Sequence, residues 1–210
     1  MKVLTALSAI LLLLNSVRPA LAASATDQVK STADKVLEIL RDPNLKGDAK
    51  RADRNRMILD QLDARFDWTS ICRSCLGAHW RKFNRAQQTE FMDLFKKFLE
   101  HTYLDRIEPY YNELDKIQYQ GERHADDNYA SVKTVIVTKK GVDHPVEYRL
   151  EKNSSGAWRV YDVIIEGVSL VNNYRSQFDD IINRSGYDGL LNTLKTKSAA
   201  INSGNLPSLQ

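Results

Sequence analysis

Cysteine is scarce in this chain, with two residues among 210. A scaffold held by several disulfides is therefore excluded, and folding must rest on a hydrophobic core. Proline and glycine are also few, five and nine, which excludes collagen-like and low-complexity architectures. No internal repeat is visible. No stretch rich in Pro, Gly or Ser divides the chain, so a single domain is expected. A charge excess of one sign is missing too: 30 Lys and Arg stand against 27 Asp and Glu, a net charge of +3. Such an interspersed, near-neutral mixture lacks the basic surface that nucleic-acid binding needs.

Long apolar runs are confined to the N-terminus. Lys2 precedes an apolar stretch from Val3 to Leu14, and Ala20-Leu21-Ala22 follows as a small-x-small site. That order is expected of a secretory signal peptide cleaved after Ala22. The run is short of the roughly 20 residues a transmembrane helix needs, and Asn15, Arg18 and Pro19 end it. Removing the leader takes Lys2 and Arg18 with it, so the exported chain is closer to neutral still. No cysteine follows the site, which excludes a lipid-modified N-terminus.

What is present is a change of period half-way along. Val29, Ala33, Val36, Leu37 and Leu40 have helical spacing within Asp27 to Arg41. Asp48 to Phe66 and Trp68 to Trp80 continue in the same manner. Asn84 and Gln87 have the spacing of a helix cap and its partner, before a stripe of Phe91, Phe95, Phe98, Leu99, Tyr103 and Ile107 that Pro109 should end. The period then falls to two. Lys116 to Gly121, Tyr129 to Thr138, Val146 to Glu151 and Trp158 to Ile165 read as strands joined by short turns, an antiparallel meander. Ala130, Val132, Thr134 and Ile136 share one face of the second strand. Val135 and Val137 make its other face partly apolar. Helix returns after Gly167 with Val168, Val171, Tyr174 and Phe178, breaks near Gly186, and resumes over Tyr187 to Lys197. A single α+β domain over residues 23–197 is expected, with a flexible tail over residues 198–210.

Catalytic motifs are sparse. Cys72-Arg73-Ser74-Cys75 has redox spacing but sits inside a helical segment with no strand before it. Free thiols facing the core are preferred, and a short-loop disulfide is the alternative. His79, His101, His124 and His144 share no metal-ligand spacing, so no metal site is expected. No phosphate loop or dinucleotide fingerprint occurs, and no cofactor is expected. Asp162 and Glu166 flank Val163-Ile164-Ile165 at the end of a largely buried strand. They read as a strand-end cap holding the turn into the next helix, with Arg175 as a plausible partner. The alternative is an acid or base in a small α+β enzyme. Seven of the nine tyrosines lie between Tyr103 and Tyr161, and a tyrosine can line an apolar space while its hydroxyl stays wet.

One run carries a resemblance. Tyr161-Asp162-Val163-Ile164-Ile165-Glu166-Gly167-Val168-Ser169-Leu170-Val171-Asn172-Asn173-Tyr174-Arg175-Ser176-Gln177-Phe178 closely resembles the MlaC family of periplasmic phospholipid-binding proteins, also called toluene-tolerance proteins. Phe66-Asp67-Trp68 with Leu76-Gly77-Ala78-His79-Trp80, the stripe Phe91, Phe95 and Tyr103, and Gly156 to Asp162 look like further family motifs. The resemblance covers about Phe66 to Lys195; residues 23–65 match only in helical character. The Cys-x-x-Cys is not part of the pattern. The resemblance implies a curved antiparallel sheet of about four strands wrapped by helices, with an apolar cavity between them. It implies a non-enzymatic periplasmic carrier of phospholipid or, in related proteins, hopanoid. The implied partners are an outer-membrane lipoprotein complex and an inner-membrane ABC transporter with an MCE-domain subunit, and the implied role is maintaining outer-membrane lipid asymmetry. By position, the expected lining is Phe95, Leu99, Tyr103 and Ile107 from the long helix. The sheet would add Val135, Val137, Tyr148, Leu150, Val163 and Ile165, and the returning helix Val168, Val171 and Tyr174.

Overall fold

A computed structural model describes residues 23–202 apart from residue 112, with the backbone course alone at residues 101, 105–111, 201 and 202. The expected leader, and the end of the expected tail, lie outside the described residues. The elements run α1 (Ala25–Arg41), α2 (Arg51–Asp63), α3 (Trp68–Leu76), α4 (Arg85–Tyr111), β1 (Leu114–His124), β2 (Tyr129–Thr138), β3 (Asp143–Lys152), β4 (Trp158–Ile165), β5 (Val168–Ser169) and α5 (Leu170–Asn202). Short 3-10 turns precede α2 and follow α3.

Local chemistry fixes the helix starts. Ser24 and Asp27 form a reciprocal cap at α1, with Asp27 N–H donating to Ser24 Oγ at 3.0 Å. Asn84 and Gln87 do the same at α4: Gln87 N–H donates to Asn84 Oδ1 at 2.9 Å and Asn84 N–H to Gln87 Oε1 at 3.0 Å. Pro109 does not end α4, which continues to Tyr111. A proline in a final turn removes one N–H and need not stop the residues after it. Gly186, at φ 67 and ψ −167, breaks α5 where the sequence predicts a break. The second half then continues through Asn202, beyond Lys197, where the sequence predicts its end. Among the described residues no helix is long and apolar enough to cross a membrane.

The sheet is a five-stranded antiparallel meander in the order β1-β2-β3-β4-β5, the last strand being only two residues long. Glu166 (φ 51) and Gly167 (φ 85) form the two-residue turn from β4 to β5, a geometry that fits the right-handed twist of a hairpin. In β4 the register shifts between Asp162 and Val160, opposite Arg149 and Leu150. Tyr161 is thus an extra residue, and Val160 and Val163, three apart, reach the same face. The segment before α3 is stitched to β4: Asp67 N–H donates to the Val160 carbonyl and Val160 N–H to the Arg65 carbonyl, both at 2.9 Å.

Three apolar clusters hold the layers together. The largest joins α3, α4 and α5 around Phe91, Phe95, Phe98, Tyr174 and Phe178. A second packs Ala25 and Val29 of α1 onto Ala130, Val132, Leu150, Trp158 and Val160 of the sheet. The third joins α1, α2 and α4 through Ile39, Leu40, Ile58 and Leu104. Phe66 touches the first two clusters and links helices to sheet.

Candidate functional site

The register settles which side chains share a face. Ala130, Val132, Thr134 and Ile136 of β2 stand opposite Leu150, Tyr148, Val146 and His144 of β3. Beyond them Tyr148 meets Val163, and Val146 meets Ile165. On the other side Ile117 pairs with Ile136 and Tyr119 with Thr134. These residues form one apolar face across four strands. α1 closes half of it, and there Val132, Leu150, Trp158 and Val160 are fully buried. In the other half Ile117, Tyr119, Ile136, Tyr148 and Val163 are only half-buried, whereas Thr134 and Val146 are buried. Among the described residues the long helix α4 packs chiefly against α3 and α5. A half-covered apolar face can take an apolar guest.

Burial pushes the Tyr148 phenol pKa up, although its hydroxyl shares a hydrogen bond with Thr134. Part of its surface is nevertheless accessible. Burial also pushes Tyr119 up, to about 12, with Asp34 and Tyr148 adding to the effect. Thr134 donates to the Val146 carbonyl at 3.1 Å. The face therefore carries three hydroxyls in an otherwise aliphatic setting.

The predicted lining residues fall into separate groups. Phe95, Leu99, Val171 and Tyr174 lie inside the helical cluster, with Tyr103 at its margin. Phe95 and Tyr174 are fully packed, their rings 5.0 Å apart and edge-to-face. Leu150, Tyr148 and Val163 belong to the sheet cluster. Val135 and Val137 do not join them, because alternation turns both to the opposite face of β2. Ile165 and Val168 sit at the β4–β5 turn and are 40% and 60% exposed. The side chain of Ile107 is outside the described residues. The expected lining thus falls in separate places: strand parity turns Val135 and Val137 away from Leu150, Tyr148 and Val163, and Phe95 and Tyr174 pack within the helical cluster. Sequence reasoning passed over Ile117, Tyr119, Thr134 and Ile136. The alternation of Ala130, Val132, Thr134 and Ile136 was the signal, masked by a small and a polar residue in the stripe.

Two surface depressions contain none of the predicted lining. One, about 610 Å³, lies between the start of α4 and the end of α5, lined by Arg85, Glu90, Asp93 and Lys195 among others. The other, about 280 Å³, includes Gly77, Arg175 and Asp179. Charged side chains form part of the wall of each.

The polar residues singled out in the sequence bond to groups within the fold. The buried Asp162 carboxylate accepts from Ser169 Oγ at 2.7 Å, from Val171 N–H at 3.1 Å and from Arg149 Nη1 at 3.4 Å. It caps the start of α5 while still on β4. Arg175 is not its partner: its Nε donates to the Ser74 carbonyl at 2.6 Å, near the end of α3. The difference arises because Arg175 lies more than a turn beyond the capped N–H of Val171. Glu166 pairs with His144 at 2.7 Å. Cys72 and Cys75 are free and buried in the helical cluster. Burial, followed by the Asp67 and Asp93 charges for Cys72 and by Cys72 and Asp162 for Cys75, raises both thiols well above the ordinary value. Thiols held protonated are poor redox nucleophiles. Among the described residues no cluster of three metal-binding side chains occurs.

Comparison with known proteins bears on the same geometry. The family model described as MlaC protein matches residues 30–196. The chain belongs to the MlaC family. The match begins within α1, so the family pattern reaches further towards the N-terminus than the motifs read from the sequence. Among curated MlaC relatives, the intermembrane phospholipid transport system binding protein MlaC of Haemophilus influenzae is 28% identical over 127 residues, 59% of this chain and 58% of its own length. The toluene tolerance protein ttg2D of Pseudomonas putida is 30% identical over 135 residues, 64% of this chain and 60% of its own length. The chain thus spans about three-fifths of the length of these relatives. A phospholipid-binding protein from Ralstonia solanacearum, solved in complex with a phospholipid, superposes with a TM-score of 0.73 at 30% identity, covering 86% of this chain and 99% of its own. The MlaC fold is α+β, as expected, with a fifth short strand added to the predicted four.

Proposed function

We propose that this MlaC-family protein is a periplasmic carrier that binds phospholipid and moves it between the outer and inner membranes. The observation that carries the reading is the half-covered apolar sheet face. The same fold in the Ralstonia solanacearum protein was solved with a phospholipid. Its partners would be an outer-membrane lipoprotein complex and an inner-membrane ABC transporter with an MCE-domain subunit. Its role would be upkeep of outer-membrane lipid asymmetry. Export would follow removal of residues 1–22, leaving one lipid-binding domain over residues 23–197 and a tail over residues 198–210.

The physics requires such a carrier. Two acyl chains of about 16 carbons, at about 0.8 kcal/mol per CH₂, cost about 25 kcal/mol to expose to water. A carrier replaces bilayer by an equally dry surface, and no catalytic group is needed for that. Asp162 has its oxygens committed to Ser169, Val171 and Arg149, which disfavours the alternative of an acid–base enzyme. The test is to purify the protein from a Gram-negative periplasm, extract it into organic solvent and record a mass spectrum. Co-purified phospholipid near one molecule per chain is expected. Hopanoid in its place would reassign the ligand, and failure to recover or load either lipid refutes the reading.

A further inference from the structure

The three hydroxyls on the half-covered sheet face are not equivalent. Thr134 gives its proton to the Val146 carbonyl at 3.1 Å. Tyr148 shares a bond with Thr134. The hydroxyl of Tyr119 is buried and has no hydrogen-bond partner among the described residues. Tyr119 stands directly opposite Thr134 across the β1–β2 pair, on the same face as Tyr148. Asp34 of α1 and Tyr148 of β3 are the charged and phenolic groups that act on it, and Lys30 lies 5.8 Å from its ring centroid. The phenol therefore lies on this sheet face beside Lys30 and Asp34 of α1.

An orphaned buried hydroxyl is destabilising, because it has lost water and gained nothing. Phenylalanine would fill the same site without that loss. An orphan on a half-covered apolar face makes sense when the guest brings the missing acceptor. A saturated hydrocarbon brings none. An ester carbonyl at the head of an acyl chain is a neutral acceptor that can be drawn to the edge of a dry site. A phosphate at that depth would need a cation, and Lys30, 5.8 Å from the ring centroid, is paired with Asp34 at 2.6 Å.

We infer that Tyr119 is a specificity-determining residue that donates a hydrogen bond to an ester carbonyl of the bound lipid, so that the protein distinguishes ester-linked acyl lipids from ether-linked or purely hydrocarbon ones. This rests on the carrier function proposed above and names the chemistry it selects.

The experiment is a competition. Delipidated protein is loaded from an equimolar mixture of dipalmitoyl phosphatidylglycerol and its dihexadecyl ether analogue, and the bound ratio is read by native mass spectrometry. The two lipids share head group and chain length and differ in the carbonyls. Wild type is expected to favour the ester by about 5- to 10-fold, the effect of one neutral hydrogen bond to a group otherwise left unpaired. Tyr119→Phe is expected to bring the ratio close to one. Tyr129→Phe, on the opposite face of β2 and exposed, should keep the wild-type preference. A wild-type ratio near one overturns the inference without any variant being needed, and so does a preference that survives Tyr119→Phe. Binding of neither lipid overturns the carrier reading itself and this inference with it.

Discussion

Replacing Asp162 by alanine should destabilise the protein by more than most single substitutions. The side chain is 4% exposed and joins three elements. Its bond from Ser169 Oγ, at 2.7 Å, is charge-assisted, and hydrogen bonds to charged groups contribute about 1.5–3 kcal/mol. Its bond from Val171 N–H, at 3.1 Å, satisfies one of the orphan donors in the first turn of α5. Leaving that buried N–H without a partner costs about 1–3 kcal/mol. Arg149 adds little, because its side chain is 42% exposed and returns to water when the pair is broken. The sum is about 3–5 kcal/mol, a large part of the margin of an ordinary domain. Urea unfolding followed by circular dichroism measures it. With a slope of about 2 kcal/mol per molar urea, the midpoint should fall by about 1.5–2.5 M with little change in slope. Asp162→Asn retains an acceptor oxygen and should lose about half as much. A midpoint shift for Asp162→Ala below about 0.5 M, equivalent to about 1 kcal/mol, would show that the carboxylate does not hold α5 to β4.

Two further outcomes follow from the polar groups. Burial alone would raise the pKa of Glu122. The hydrogen bonds it receives from the Thr26 hydroxyl and backbone, from His124 and from the Ala25 N–H outweigh burial and hold it below the usual value. A carboxylate with a depressed folded pKa contributes stability above the unfolded value of about 4.3, and that contribution is lost as pH falls through the folded pKa. Thermal unfolding of wild type and Glu122→Gln should therefore differ most near pH 6 and converge below about pH 4; a gap that stays constant refutes the pairing of Glu122 with the start of α1. Cys72 and Cys75 should resist a thiol-specific maleimide in the native protein and label fully in urea, because burial keeps both protonated. Labelling of the native protein at the rate of a free thiol would contradict their position in the core.

Much of the fold was written into the sequence. The fall from a 3.6-residue to a 2-residue apolar period divides helices from strands at the right place, because amphipathic elements must present one face to a core whatever their neighbours are. Short polar turns left only a meander as the economical connection. Asn84 with Gln87, and Gly186 in α5, marked local events governed by a few consecutive residues, and those are the events a sequence displays. The motif from Tyr161 to Phe178 pointed to the MlaC family for the same reason: it encodes a strand, a tight turn and a helix start joined by Asp162.

The tertiary structure decided what faces what. Val135 and Val163 are both β-branched residues in half-apolar strands, yet they lie on opposite faces, and only the pairing register with its bulge at Tyr161 reveals it. Arg175 and Arg149 are both cations near Asp162 in one sense or another. Only the folded chain selects Arg149, thirteen residues earlier on the adjacent strand. Phe95 and Tyr174 carry the same apolar signal as Tyr148 and Val163, but helix packing fills the space around the first pair and leaves the second pair half-covered. Periodicity reports that a side chain avoids water. Whether protein or lipid takes water's place depends on how fully the helices cover the sheet, which contacts between residues remote in sequence decide.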